Sequence, residues 1–146
     1  MFTCQIETVD IQELQAYMRL QAEDAFPVFK DEEWLRSFSA KLHAHAEFCI
    51  CRDGGRPVGM IAFYANGQGA DFAYISHVYV SPDYRKQGTF SRMLDAVKAY
   101  SISKGFTEIR LEVNNDNKSA CSAYSRKGFV QKEAASDHSF YMALVL

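Results

Sequence analysis

The chain is 146 residues long, 48% hydrophobic and 14% aromatic, with 3 prolines and a formal net charge of −2. That is the length of one domain with a substantial core, so residues 1–146 are expected to form a single domain, and the composition argues against disorder. No basic face is visible, which argues against a nucleic-acid partner, and no stretch approaches the ~20 apolar residues of a membrane span.

In chain order, residues 2–9 read as a first strand. Asp10 is a good N-cap, and Ile11, Leu14, Met18 and Ala25 recur at helical spacing, which predicts a helix from residue 11 to the Phe26-Pro27 stop. A second helix fits residues 31–44, with Asp31 as cap and Trp34, Phe38 and Leu42 on one face. Glu23, Asp24, Asp31, Glu32 and Glu33 crowd around the connection. They read as a solvated, cap-rich loop, with attraction of a cation as the alternative. Residues 47–51 and 57–65 follow as strands joined by a hairpin at Asp53-Gly54-Gly55, the second ending at Asn66-Gly67.

Residues 73–80 are β-branched and aromatic on both faces, as in a central, covered strand. Met93, Leu94, Val97 and Tyr100 form a stripe over residues 91–104, which Gly105 terminates. Residues 107–113 alternate Ile109, Leu111 and Val113 against Glu108, Arg110 and Glu112, a strand pattern. Asn117 can cap a short helix ending before Gly128. Residues 129–134 and 139–145 supply the last strands around a turn at Ala135 to His138. The order β-α-α-β-β-β-α-β-α-β-β predicts an α/β domain on a mixed sheet.

The four cysteines, Cys4, Cys49, Cys51 and Cys121, make no C-x-x-C pair and no metal-ligand spacing with histidine, so no metal is expected. They read as reduced packing residues, with Cys49 and Cys51 on the same side of one strand. The start MFTCQIETVD lacks a basic region followed by an apolar run, and the expected compartment is the cytoplasm.

The segment VSPDYRKQGTF, from Val80 to Phe90, carries the most chemistry. A strand there runs into a basic, glycine-bearing turn that opens a helix, so backbone N–H groups and a helix dipole converge on one point. Arg85 and Lys86 add charge, and Gly88 lets a ligand approach the backbone closely. The turn matches neither a nucleotide-hydrolysing phosphate loop nor a dinucleotide fingerprint. Two readings stand at this point: a phosphate or pyrophosphate site, and an ordinary strand-to-helix turn with a solvated Arg-Lys pair.

Val80 to Phe90 with its helix, then Leu111-Glu112-Val113, then Asn117-x-x-Ala120-x-x-x-Tyr124-x-x-x-Gly128-Phe129, resembles the second half of the GNAT superfamily of N-acetyltransferases. The detailed match covers residues 73–129. The family's turn motif, Arg/Gln-x-x-Gly-x-Gly/Ala, is represented by Arg85 to Phe90, with Phe90 departing from the final small residue. The resemblance implies a GNAT-like mixed sheet of about seven strands flanked by about four helices, splayed at its two central strands. It also implies acetyl-CoA as donor. The pyrophosphate would be held by the turn, Arg85, Lys86, Gln87, Gly88, Thr89, Phe90 and Ser91, with the backbone of Gln87 to Ser91 supplying the amides. Pantetheine would lie along Val78, Tyr79 and Val80, the backbone of Val78 and Val80 bonding its amides like an added strand, and the Val78 N–H facing the acetyl carbonyl.

Acyl transfer to an amine needs a neutral amine, a stabilised oxyanion and a protonated leaving thiolate. By the resemblance Tyr124 approaches the CoA sulfur and is the candidate acid; its other use is as a core aromatic. Glu112 matches a strand-end glutamate that several family members use as base, directly or through water. The alternative is a polar strand face of Glu108, Arg110 and Glu112 bearing cross-strand pairs. Asn117 caps its helix and can also bond pantetheine or a nearby water. His77 lies opposite Val78 in the alternation and reads as a hydrogen-bonded core histidine, whereas His138 in the final turn could reach an acceptor. His43 and His45 read as helix-end residues. Cys121 has no activating neighbour in the sequence and reads as buried packing, so direct attack is preferred to an acetyl-cysteine. The expected function is acetylation of a small primary amine by a monomer or homodimer. Acetylation of a protein N-terminus or lysine, and a non-catalytic acyl-CoA-binding module, are the alternatives.

Overall fold

The computed structural model describes residues 2–66 and 71–146. Strands β1 (Phe2–Glu7), β2 (Glu47–Asp53), β3 (Arg56–Tyr64), β4 (Phe72–Val80), β5 (Glu108–Asn114), β6 (Val130–Ser136) and β7 (Ser139–Val145) form one sheet in the order β1-β2-β3-β4-β5-β7-β6. Helices α1 (Ile11–Gln21) and α2 (Glu32–His45) precede β2, α3 (Thr89–Ser103) links β4 to β5, and α4 (Lys118–Arg126) links β5 to β7's partner β6. All neighbours pair antiparallel except β4 and β5, which run parallel across a crossover through α3. The α/β class, the element order and the mixed seven-stranded sheet agree with the sequence reading.

Two cores lie on opposite faces. Met93, Leu94 and Val97 of α3 pack with Ile61, Ile75, Ile109 and Leu111, and α4 leans on the same cluster through Ala120, Cys121 and Tyr124. Leu14 and Met18 of α1 and Leu35 and Leu42 of α2 pack with Phe48, Ile50, Met60 and Tyr79. The central strands are therefore covered on both sides, which is why residues 73–80 show no simple polar face.

Several local expectations shift. Helix α1 stops at Gln21 rather than near residue 25, because the Gln21 carbonyl accepts the N–H groups of Asp24, Ala25 and Phe26 at 3.1, 3.0 and 3.1 Å and turns the chain. Phe26 thereby reaches the sheet and a 3₁₀ turn follows at Pro27–Lys30. On α2 the buried positions are Leu35, Ser39 and Leu42, while Trp34 is 40% exposed over Phe29 and Phe38. Strand β6 continues to Ser136, so the last turn narrows to Asp137 and His138. The expected strand end at Asn66-Gly67 falls partly outside the described residues, at Gly67.

The expectation of four reduced cysteines is corrected. Cys4 and Cys51 stand directly opposite each other in the β1–β2 ladder and are joined by a disulfide, leaving Cys49 and Cys121 free. Sequence alternation cannot reveal such a pair, since it depends on the register of β1. Cys121 is half-buried rather than buried.

Candidate active site

The sheet opens between β4 and β5. Their ladder holds only at Phe72↔Glu108, Ala73↔Ile109 and Tyr74↔Arg110, and the strands part beyond it. Ser81 donates its N–H to Val58 of β3 at 2.9 Å. Backbone groups alternate along a strand, so Tyr79 also turns toward β3, while Val78 and Val80 present N–H and C=O to the gap. The Val80 carbonyl confirms the direction, because it accepts Nε of Arg85 at 2.9 Å instead of a strand partner. An edge of β4 is thus open to an extended ligand.

A register shift between Ala62 and Phe63 marks a bulge in the β3–β4 ladder, with Ser76 as the extra residue of β4. Ala73 and Ile75 face α3, and past the bulge Val78 and Val80 take over that face. His77 and Tyr79 face the α1 side. Beside the bulge the gap forms a cavity of about 390 Å³ that is lined by Tyr74 and Glu112 together with Asn117 and Tyr124.

The turn after β4 makes a second cavity, about 340 Å³, lined by Lys86, Gly88, Phe90, Ser91 and, at the end of α4, Arg126 and its C-cap Lys127. Gly88 is the N-cap of α3 with φ 81°, and Lys86 also has positive φ, 59°. These two left-handed kinks, on either side of Gln87, turn the amides of the loop toward one concavity. The first intrahelical bond runs from the Arg92 N–H to the Gly88 carbonyl at 3.0 Å, so the N–H groups of Thr89, Phe90 and Ser91 keep no helical partner. A Cβ at Gly88 would meet nothing within 4 Å, so the requirement there is conformational, not spatial.

Tyr124 and Glu112 occupy opposite walls of the gap. Tyr124, on α4, packs between Phe90 and Phe129, each 5.6 Å away between ring centroids. Burial pushes its phenol up to about 12, so it holds its proton at neutral pH. Among the described residues its hydroxyl makes no hydrogen bond. Glu112, on β5, accepts from Ser139 Oγ at 2.5 Å through Oε2. Asn117 caps α4 by accepting the Ala120 N–H at 3.1 Å. Tyr74 joins Glu112 on its wall; burial, with the charges of Glu112 and Tyr141, raises its phenol to about 12.

Residues 14–129 match the Acetyltransferase (GNAT) family. The chain belongs to that family. An uncharacterized N-acetyltransferase of Methanocaldococcus jannaschii is 30% identical over 111 residues, covering 72% of this chain and 49% of that protein. A streptothricin acetyltransferase of Escherichia coli is 34% identical over 59 residues, covering 40% and 34%. The chain thus spans half or less of the length of these two curated relatives. Over 99% of both chains the fold superposes with TM-score 0.76 and 18% identity on the PaiA N-acetyltransferase of Thermoplasma acidophilum, solved in complex with coenzyme A.

Within this GNAT chain the expected site residues separate into two groups. Val78, Val80, Gly88, Phe90, Ser91, Asn117, Tyr124 and Glu112 converge on the gap and the turn. Others turn their side chains to protein partners, although Arg85 and Thr89 still line the turn cavity. Tyr79 points to the α1 face, where its hydroxyl donates to Asp24 at 2.7 Å. Arg85 is drawn to the same face, pairing with Asp24 and lying over the Tyr79 ring at 5.5 Å. Thr89 is buried with Oγ1 donating to the Tyr84 carbonyl at 2.8 Å, and Gln87 donates to the Asp83 carbonyl at 2.7 Å, which leaves their backbone amides for a ligand.

Among the other candidates, His77 is a buried core histidine whose Nε2 proton goes to Gln21 Oε1 at 2.7 Å. His138 is exposed beside an open cavity with Asn114, Asp116 and Asn117. The acidic residues near the interhelical loop are engaged in caps and ion pairs: Asp31 caps α2, Glu23 pairs with Lys30, Glu32 with Arg19. The polar strand face is present as well: Arg110 pairs with Glu108 and with Glu133 of β6 at 3.2 Å, and Glu112 accepts from Ser139 across the β5–β7 ladder outside that ion-pair group. Sequence reasoning missed Tyr74 and Ser139. A lone serine, Ser76, inside an aromatic and β-branched strand is the one trace of the bulge.

Among the described residues no cluster of three or more His, Cys, Asp and Glu could hold a metal, and no helix is long and apolar enough to cross a membrane.

Proposed function

We propose that the protein is an acetyl-CoA-dependent N-acetyltransferase whose acceptor is a small primary amine and which works by direct attack. The observation that carries this reading is the gap between β4 and β5, with a proton-bearing tyrosine on one wall and a carboxylate on the other. The donor fits what the chain offers: a kinked amide concavity at a helix N-terminus for the pyrophosphate and an unpaired β4 edge for pantetheine. The relative named for streptothricin, a small acceptor, supports the choice of substrate class.

Bound acetyl-CoA supplies a thioester carbonyl, whose C–S bond breaks as the amine's N–C bond forms. Glu112 takes the proton that the amine must lose, either directly or through one water. The N–H of Val78, fixed toward the gap by the β3–β4 ladder, stabilises the oxyanion. Tyr124 gives its proton to the departing sulfur. A phenol held near 12 by burial remains protonated until the thiolate appears.

The test is thiol release from acetyl-CoA across spermidine, lysine, tyramine and peptides with free N-termini or lysines. A small amine is expected to raise release, and Tyr124→Phe to lower kcat about 100-fold while CoA affinity stays within about twofold. Release with peptides alone would transfer the role to protein acetylation. CoA binding without release for any acceptor would make the chain a non-catalytic acyl-CoA module, and parental turnover in Tyr124→Phe would remove that residue as the acid.

A further inference from the structure

The Glu112 wall of the gap is built on a chain of hydrogen bonds that strand pairing does not require. Ser139 Oγ donates to Glu112 Oε2 at 2.5 Å, Ser136 Oγ and Ser139 Oγ lie 2.8 Å apart, and the His138 N–H donates to Ser136 Oγ at 3.1 Å. A serine hydroxyl has one proton, and an ionised carboxylate only accepts. Ser139 spends its proton on Glu112, so Ser136 must donate to Ser139, and Ser136 in turn accepts from the His138 amide. Every direction in the chain is fixed toward the carboxylate.

The turn that starts this chain is itself held. Asn115, just past the end of β5, donates its N–H to the His138 carbonyl at 2.8 Å and its side-chain amide to the Asp137 carbonyl at 3.4 Å. Ser139 opposes Asn114 in the β5–β7 register and so sits diagonal to Glu112, which opposes Tyr141. Ser139 is 2% exposed, a position where a hydroxyl is unfavourable unless it is bonded. Among the described residues Glu112 Oε1 has no hydrogen-bond partner.

We propose that Ser139 and Ser136 are positioning residues for Glu112: they fix one carboxylate oxygen from behind and leave the other aimed into the gap to receive the proton of the acceptor amine. This rests on the acetyltransferase reading above. The chain begins at a backbone amide that cannot give up its proton, so it conducts no proton. Its effect is to hold one rotamer of Glu112. The base of the reaction is thereby tied to the β6–β7 turn.

Two measurements test this. With acetyl-CoA and the best amine of the panel above, Ser139→Ala is expected to lower kcat at least fivefold with the acceptor KM within twofold. Ser139→Thr, which keeps the hydroxyl, should restore it. Ser136→Ala, at an exposed position that leaves the core intact, should lower kcat at least twofold. Independently of activity, urea unfolding of Ser139→Ala, Glu112→Ala and the double variant should show at least fivefold coupling in the unfolding constant. Parental kcat in Ser139→Ala, with Glu112→Gln impaired, overturns the positioning role and leaves the base in place. Coupling below twofold denies the bond itself and also overturns the role. Parental kcat in Glu112→Gln instead removes the base from the proposed function, and the serines' role falls with it.

Discussion

The buried histidine makes a quantitative prediction. His77 lies on the α1 face of β4, 5% exposed, among Phe26, Phe29 and Phe38, whose ring centroids are 4.6, 5.5 and 6.2 Å away. Desolvation there lowers its pKa from 6.5 to about 4. The unfolded chain binds the proton first, so His77 contributes full stability above pH 6.5 and loses it as pH falls toward 4. The gap of roughly 2.5 pKa units corresponds to about 3.4 kcal/mol when complete, and to about 2 kcal/mol between pH 8 and pH 5. For a chain of this length the unfolding entropy is about 0.3 kcal/mol/K, so the melting temperature should fall by about 6 °C from pH 8 to pH 5. In His77→Gln, which cannot titrate, most of that fall should vanish. Scanning calorimetry of both proteins at the two pH values is the assay. Equal falls in parent and variant would refute the assignment of the lost stability to His77.

Gly88→Glu is expected to raise the CoA dissociation constant at least tenfold by calorimetry, because a non-glycine residue is strained at φ 81° and the new charge faces the pyrophosphate. Gly88→Ala adds strain without charge and should lose about threefold, so parental affinity in Gly88→Glu would sink the cradle. Arg52 joins β2 to Glu7 of β1 and Glu13 of α1 at 2.6 and 2.8 Å, with a further bond to the Gly55 carbonyl at 2.8 Å. Arg52→Met should cost about 2 kcal/mol in urea unfolding at pH 7, since it leaves two half-buried carboxylates unpaired. The Arg52 hydrogen bonds hold Glu13 below the usual carboxylate range. That part of the stability is present above the ordinary value and disappears as pH falls through the lowered one, so the variant's deficit should shrink below pH 4; a deficit independent of pH would refute it.

Local physics made most of the fold legible. The N-caps Asp10, Asp31 and Asn117 were readable because short polar side chains before an apolar period satisfy the first helical amides, and all three do so. Gly105 was readable because the helix C-terminus there needs left-handed φ, which it adopts, whereas Gly88 was legible only as a close-approach glycine and its positive φ was not. Properties set by register were hidden. The Cys4–Cys51 pairing depends on how β1 aligns with β2, and the early end of α1 depends on Phe26 finding the His77 pocket. The site divides along the same line. The turn and the tyrosine motif are local patterns. Tyr74 and Ser139 enter only through the sheet that brings residues 74, 112 and 139 together.

The bulge at Ser76 changes which face of β4 the later side chains occupy. In an unbroken β4, alternation would put Ile75 and His77 on one face and Tyr74 and Val78 on the other. With Ser76 inserted, Ala73 and Ile75 stay on the α3 face while His77 turns to the α1 side, and Val78 and Val80 return to the α3 face. Tyr74 and Glu112 line one side of the gap, and Tyr124, packed on the α3 face, lines the other. In the proposed reaction a proton would leave the amine on one face as another reaches sulfur on the opposite face, without either group crossing the sheet. The two walls come from residues on opposite sides of the sheet, and the gap between them from the early end of the β4–β5 ladder. Closing that ladder would remove the open edge of β4 and, with it, the space that the proposed acid and base need between them.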